Sequence, residues 1–148
     1  MAHSNNLSIY PTQREILNRI KLPDNNILTK VEDWKMRYYY KVWSKFNNND
    51  KLKVLQDLSN GLVTPTTTIE YLPTTSWSVT LDPENQNYHI MTMDRNNPSI
   101  ISLLHEVGHI IHGKSELEAC IYSVSIFKNL FPKEYSRLTW NGHMLKKV

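Results

Sequence analysis

The chain has 148 residues, 40% apolar and 21% charged, and its 17 Lys+Arg against 14 Asp+Glu leave a formal charge of +3. That length gives room for one domain with its own core, and no apolar run approaches the ~18 residues that a helical membrane span needs. The basic residues are scattered, so charge makes no case for nucleic acid, and a single cysteine, Cys120, excludes an internal disulfide.

The opening residues Met1-Ala2-His3-Ser4-Asn5-Asn6 lack the basic start and apolar core of a signal peptide, so no export signal and a reducing, cytoplasmic location are expected. No segment repeats and no linker divides the chain. It reads as one domain over residues 1–148, helical over about 1–60, with a sheet and two site helices over 62–148.

From Thr12 to Ile20 the apolar residues Ile16, Leu17 and Ile20 keep helical spacing until Pro23. A longer helix is expected from Leu28 to Phe46, where Val31, Trp34, Tyr38, Val42 and Phe46 recur at three- or four-residue steps; its aromatic stripe of Trp34, Tyr38, Tyr39, Tyr40 and Trp43 reads as core. Asn47-Asn48-Asn49 reads as a loop, with Asp50 capping a third helix that carries Leu52, Val54, Leu55 and Leu58 and closes at Asn60-Gly61.

After Pro65 the texture turns to threonine, tyrosine, tryptophan and isoleucine in short stretches. Strands are expected at Thr66 to Leu72, Trp77 to Leu81 and Tyr88 to Met93, with turns at Pro73-Thr74-Thr75 and Asp82-Pro83-Glu84-Asn85, as a small, mainly antiparallel sheet. Asn96-Asn97-Pro98 then opens a helix that runs through His112 and ends at Gly113. Ser115 with Glu118 forms a capping box for a last helix ending near Phe131-Pro132, and Lys146-Lys147 is a solvated basic tail. The fold class is therefore α+β.

The informative stretch is Leu104-His105-Glu106-Val107-Gly108-His109-Ile110-Ile111-His112-Gly113, a His-Glu-x-x-His pattern on a helix. Histidines four residues apart lie about 40° apart around a helix of 3.6 residues per turn, so both imidazoles can reach one ion, and the spacing suits zinc. Ile100, Leu103, Leu104, Val107, Ile110 and Ile111 take the other side and should form the buried stripe.

A catalytic zinc needs a third protein ligand and one open position, and the candidates are His112, Glu116, Glu118 and Cys120. His112 is two turns, ~10 Å, along the helix from His105 and reads as cleft rim or cap near Gly113. Cys120, on an apolar helix, reads as packing rather than as a soft ligand. Glu116 and Glu118 lie where the chain folds back past His109, and one of them should close the site.

These residues resemble the zincin metallopeptidases, and within them the gluzincin branch, in which a glutamate on the following helix is the third ligand. Leu103 to His112, followed by Glu116-Leu117-Glu118-Ala119 and a helix ending at Phe131-Pro132, is similar to the small ImmA/IrrE-type peptidases carried by phages and mobile elements. The likeness covers about residues 86–132 and implies a minimal zincin-like fold, a Zn2+ cofactor and a protein or peptide substrate, with virion association as the variant for a phage-encoded chain. Its pattern places the ligand glutamate three residues before an alanine, which picks Glu116 by Ala119, whereas Cys120 fills a position where the pattern has Asn or Asp, so Glu118 remains the alternative.

With zinc present, a bound water has its pKa lowered to ~7, and Glu106, beside the first ligand, is the expected general base. Tyr122, Tyr135 and His143 are the candidate donors to a developing oxyanion. The strand from Tyr88 to Met93 is expected to form the cleft edge and to take an extended peptide by strand addition. The leading reading is a zinc-dependent peptidase. The alternative from another class is a catalytically silent zincin-like binding or structural protein that retains zinc, and neither a membrane nor a nucleic acid is an expected partner.

Overall fold

The computed structural model describes residues 10–82 and 84–147, and it is an α+β arrangement of six α-helices, a three-stranded sheet and a two-stranded hairpin. Met1 to Asn6 and Pro83 lie outside the described residues.

The first helix, α1 (Gln13–Arg19), starts where the sequence places it. Thr12 caps it, its hydroxyl accepting from Glu15 N at 3.1 Å while the Glu15 carboxylate accepts from Thr12 N at 2.9 Å. The helix expected from Leu28 to Phe46 is shorter and broken. It begins earlier, as α2 (Asn25–Trp34) behind the cap Asp24, then widens into one π-helical segment, Lys35–Tyr39, and ends in a 3-10 turn at Trp43–Lys45. A wide turn puts residues five apart on one face, so Trp34 and Tyr39 share a cluster with Trp43, at ring separations of 5.7 to 6.4 Å. The buried Lys35 ammonium lies 4.8 Å over Phe131 and donates to the Leu130 carbonyl, which closes off a later helix end. Of the expected aromatic stripe, Trp34 is buried and Tyr40 is exposed.

The asparagine run is not a loop. Asn47 is the cap of α3 (Asn48–Leu62), accepting from Asp50 N at 2.8 Å, and Gly61 lies inside the helix, whose C-cap is Val63. Asparagine and aspartate cap equally well, so the sequence offered two starts, and the earlier one adds most of a turn.

The sheet is mixed, with strand order β1 (Thr68–Thr74), β3 (Tyr88–Asp94), β2 (Ser78–Leu81). β1 and β3 run parallel, Thr68 opposite Tyr88, and β2 runs antiparallel to β3, Val79 opposite Met91. The expectation of a mainly antiparallel sheet fails because β3 inserts between its two predecessors. His89, Met91 and Met93 face the core, where Met91 and Met93 meet Leu55, Leu103, Leu104 and Val107.

The motif helix, α4 (Ile100–His112), is capped by Ser99, three residues after the expected Asn96 opening, and Gly113 stops it with φ +86°, a conformation glycine adopts without strain. α5 (Glu116–Leu130) follows from the cap Ser115, and then a short α6 (Pro132–Ser136). Lys146 and Lys147 are not a tail. They belong to a C-terminal hairpin, β4 (Leu138–Asn141) and β5 (Met144–Lys147). Gly142 turns it with φ +65° at the first of two central positions, as a type II′ connection requires. A second core cluster, built on Ile16, Cys120, Val124 and Leu145, ties this hairpin to α1 and α5.

Candidate metal centre

His105 and His109 project from α4 toward Glu116, the first residue of α5. His109 Nε2 lies 2.6 Å from Glu116 Oε1 and His105 Nε2 lies 3.3 Å from Glu116 Oε2. One donor atom from each of the three falls within 4.8 Å of the others, so the group could hold a metal ion.

Two local features bring the glutamate here. Gly113 reverses the chain, and Gly108 lets the two helices nearly touch: a Cβ at Gly108 would stand 3.0 Å from both Cα and O of Ala119. The small pair Gly108 and Ala119 is therefore what draws the first turn of α5 against His109. That turn also lies at the positive end of its helix, which favours a carboxylate.

Electrostatics follow the geometry. Hydrogen bonding to His105 and His109 holds the Glu116 carboxyl far below the usual carboxylate range. The same bond to Glu116 raises His109, against burial, with the Gly113 carbonyl adding to it. Burial raises Glu106, His105 and His109 oppose that, and Glu116 adds to the rise.

The donor set suits zinc. Two imidazoles and one carboxylate would give an ion three protein ligands, the number a catalytic zinc takes. His109 Nδ1 is 2.8 Å from the Gly113 carbonyl oxygen, and that contact needs the proton on Nδ1, which leaves Nε2 free to ligate whenever His109 is neutral.

The other candidates separate. Glu118 turns outward, its carboxylate 3.1 Å from Arg19, so only half of the expected capping box forms: Ser115 Oγ accepts from Glu118 N. Cys120 sits behind the site, Sγ 3.8 Å from His105 Nδ1, and burial pushes its thiol up to about 12, so it is neutral and faces the wrong side of the ring to join Glu116. His112 is neither rim nor cap. It packs on Tyr122 and borders a different cleft, together with Ile111, which is exposed rather than part of the buried stripe.

Among the proposed oxyanion donors, Tyr122 borders that same far cleft and its buried hydroxyl has no hydrogen-bond partner among the described residues, while Tyr135 packs between the two core clusters. His143 alone of the three reaches the centre, Nε2 standing 3.1 Å from Glu116 Oε2.

His105, Glu106, His109 and Glu116 open onto a cleft of about 460 Å³ whose other walls are Trp77, Ser78, Val79, Leu81, Lys114 and Met144. Its strand is β2. The expected edge, Tyr88 to Met93, is the central strand, paired on both sides. Met144 and the turn that carries His143 went unread in the sequence, although Asn141-Gly142 beside alternating Trp140 and Leu138 is a strong hairpin signal.

No family model matches the chain, and no curated protein or solved structure matches it. Fold and site define a small α+β protein with a histidine–glutamate group able to hold a metal ion. No helix among the described residues is long and apolar enough to cross a membrane.

Proposed function

We propose that the chain is a zinc-dependent peptidase of minimal zincin-like fold, with His105, His109 and Glu116 as ligands and Glu106 as general base. The observation that carries this reading is the placement of a buried carboxylate, Glu106, on the wall of the same cleft as a three-ligand group. A purely structural zinc site has no use for that carboxylate and fills its fourth position with protein.

Zinc, when bound, would polarise the scissile carbonyl and acidify a water. The remaining work belongs to the chain. Burial keeps the Glu106 proton affinity above that of a free carboxylate, which suits a group that must take a proton from water and then release it. As the water oxygen bonds to the carbonyl carbon, Glu106 receives the proton; as the C–N bond breaks, the proton passes to the leaving amine. Among the described residues β2 pairs only with β3, so its outer edge can hold an extended peptide along the cleft by strand addition.

The test is the zinc content of purified protein, measured by elemental analysis beside Glu106→Gln and His105→Ala, with peptide-library digestion followed by mass spectrometry. About one zinc per chain, kept in Glu106→Gln and lost in His105→Ala, with cleavage only by the wild type, is the expected result. Absence of zinc after reconstitution, or equal cleavage by Glu106→Gln, would sink the reading.

A further inference from the structure

The C-terminal hairpin reaches into the centre from 27 residues beyond Glu116, and it does so through one side chain. His143 is the second central residue of the β4–β5 turn, and its Nε2 lies 3.1 Å from Glu116 Oε2. The residue is held at two points, the ring and the backbone. Tyr10 stacks on it at 5.0 Å and 26°, and the backbone carbonyl of His143 lies 3.6 Å from Cys120 Sγ. The Cys120 sulfur also lies 3.8 Å from His105 Nδ1. One buried thiol thus bridges the rear of a candidate ligand and the backbone of the hairpin turn.

An ionised carboxylate can only accept, so the proton in the His143 contact is on Nε2, and His143 is the donor. The group of three donor atoms within 4.8 Å of one another comprises His105, His109 and Glu116 without His143. His143 is therefore placed to hold the carboxylate and not to share the ion. A single N–H committed to Glu116 Oε2 is also not free for a substrate oxygen.

We propose that His143 is a positioning residue of the metal centre: by donating to Glu116 Oε2 it fixes the rotation of that carboxylate, and the hairpin becomes part of the zinc site although it supplies no ligand. This rests on the zinc reading above. Groups that orient a ligand in this way are worth about 10–100-fold in metal affinity.

The experiment measures zinc affinity of the full chain by competition with a chromogenic chelator, for wild type, His143→Ala and His143→Gln, alongside kcat at saturating zinc. Glutamine presents an amide N–H at a reach close to that of Nε2. His143→Ala should bind zinc about 10–100-fold more weakly, His143→Gln should recover most of that loss, and saturating zinc should restore kcat in both. Wild-type affinity in His143→Ala overturns the proposal, as does a kcat loss that saturating zinc does not repair, which would make His143 an oxyanion donor. If the alanine variant fails to fold, a folded glutamine variant decides alone, supporting the assignment at near-wild-type affinity and refuting it at a deficit of tenfold or more. A wild-type chain that binds no zinc takes down the metallopeptidase reading and this inference together, whereas the other negative outcomes leave the zinc reading standing.

Discussion

Gly108 and Ala119 face each other so closely that a β-carbon on the glycine would stand 3.0 Å from the Cα and carbonyl oxygen of the alanine. The two free positions of a His-Glu-x-x-His turn look interchangeable in the sequence, but one of them sets the distance between the helix of the histidines and the helix of Glu116. Gly108→Ala gains about 1 kcal/mol of helix propensity and meets overpacking of about 1–3 kcal/mol. Because the obstructing atoms are backbone, we expect a net loss of up to ~2 kcal/mol in thermal unfolding and weaker zinc binding, since any relief moves Glu116 away from His109. A variant at least as stable as wild type, with unchanged zinc affinity, would show that the helices separate freely.

Glu116 and Glu118 differ in what they face, not in type. Glu116→Gln should weaken zinc by more than the ~10–100-fold typical of a merely supporting group. Glu118→Gln removes only a half-exposed ion pair with Arg19, worth about 0–1 kcal/mol, and should leave zinc affinity at the wild-type value. Competition titrations of the two variants separate them, and equal losses would contradict the assignment.

Glu106→Gln should keep the metal and reduce peptide hydrolysis by about 100-fold or more. Burial disfavours the Glu106 charge, so the neutral amide should cost no stability, and the melting temperature of the metal-free variant should equal or exceed that of wild type. A lowered melting temperature would mean that the ionised form is held by contacts beyond the two histidines.

The contact between His109 and Glu116 makes two pH predictions. His109 is raised in the folded, metal-free chain, so its contribution to stability is full below its unfolded value of about 6.5 and is lost as pH rises through the folded value. Glu116 is depressed, so its contribution is present above about 4.3 and is lost as pH falls. Thermal unfolding in chelator should show the pair most stabilising between those limits. Zinc needs the imidazole neutral, so affinity should climb with pH across the range where His109 gives up its proton; a profile that stays flat from about pH 6.5 upward would be inconsistent with His109 as a ligand.

Much of the site was legible because its first half is local. His105, Glu106 and His109 lie within one turn or so of a helix whose period the apolar residues announce, and a four-residue step on a helix fixes which way side chains point before anything packs. The start of the first helix near Thr12, the Gly113 stop and the three short strands were legible for the same reason. What spans the chain was not. Strand order depends on which edges pair, so β3 could not be known to lie between β1 and β2, nor β2 to wall the cleft. A residue step of two separates Glu116 from Glu118 in sequence, yet on a helix it turns them about 200° apart, and only the packing of Gly108 on Ala119, with Arg19 waiting on the other side, decided which carboxylate met the histidines. The broken helix after Trp34 answers to Phe131 and Leu130 at the far end of α5, and His143 reaches Glu116 only once the hairpin folds back. The sequence by itself determined the chemistry on one helical face; the tertiary structure decided what that face meets, because long-range contacts are selected by burial and fit among distant segments and leave no local period to read.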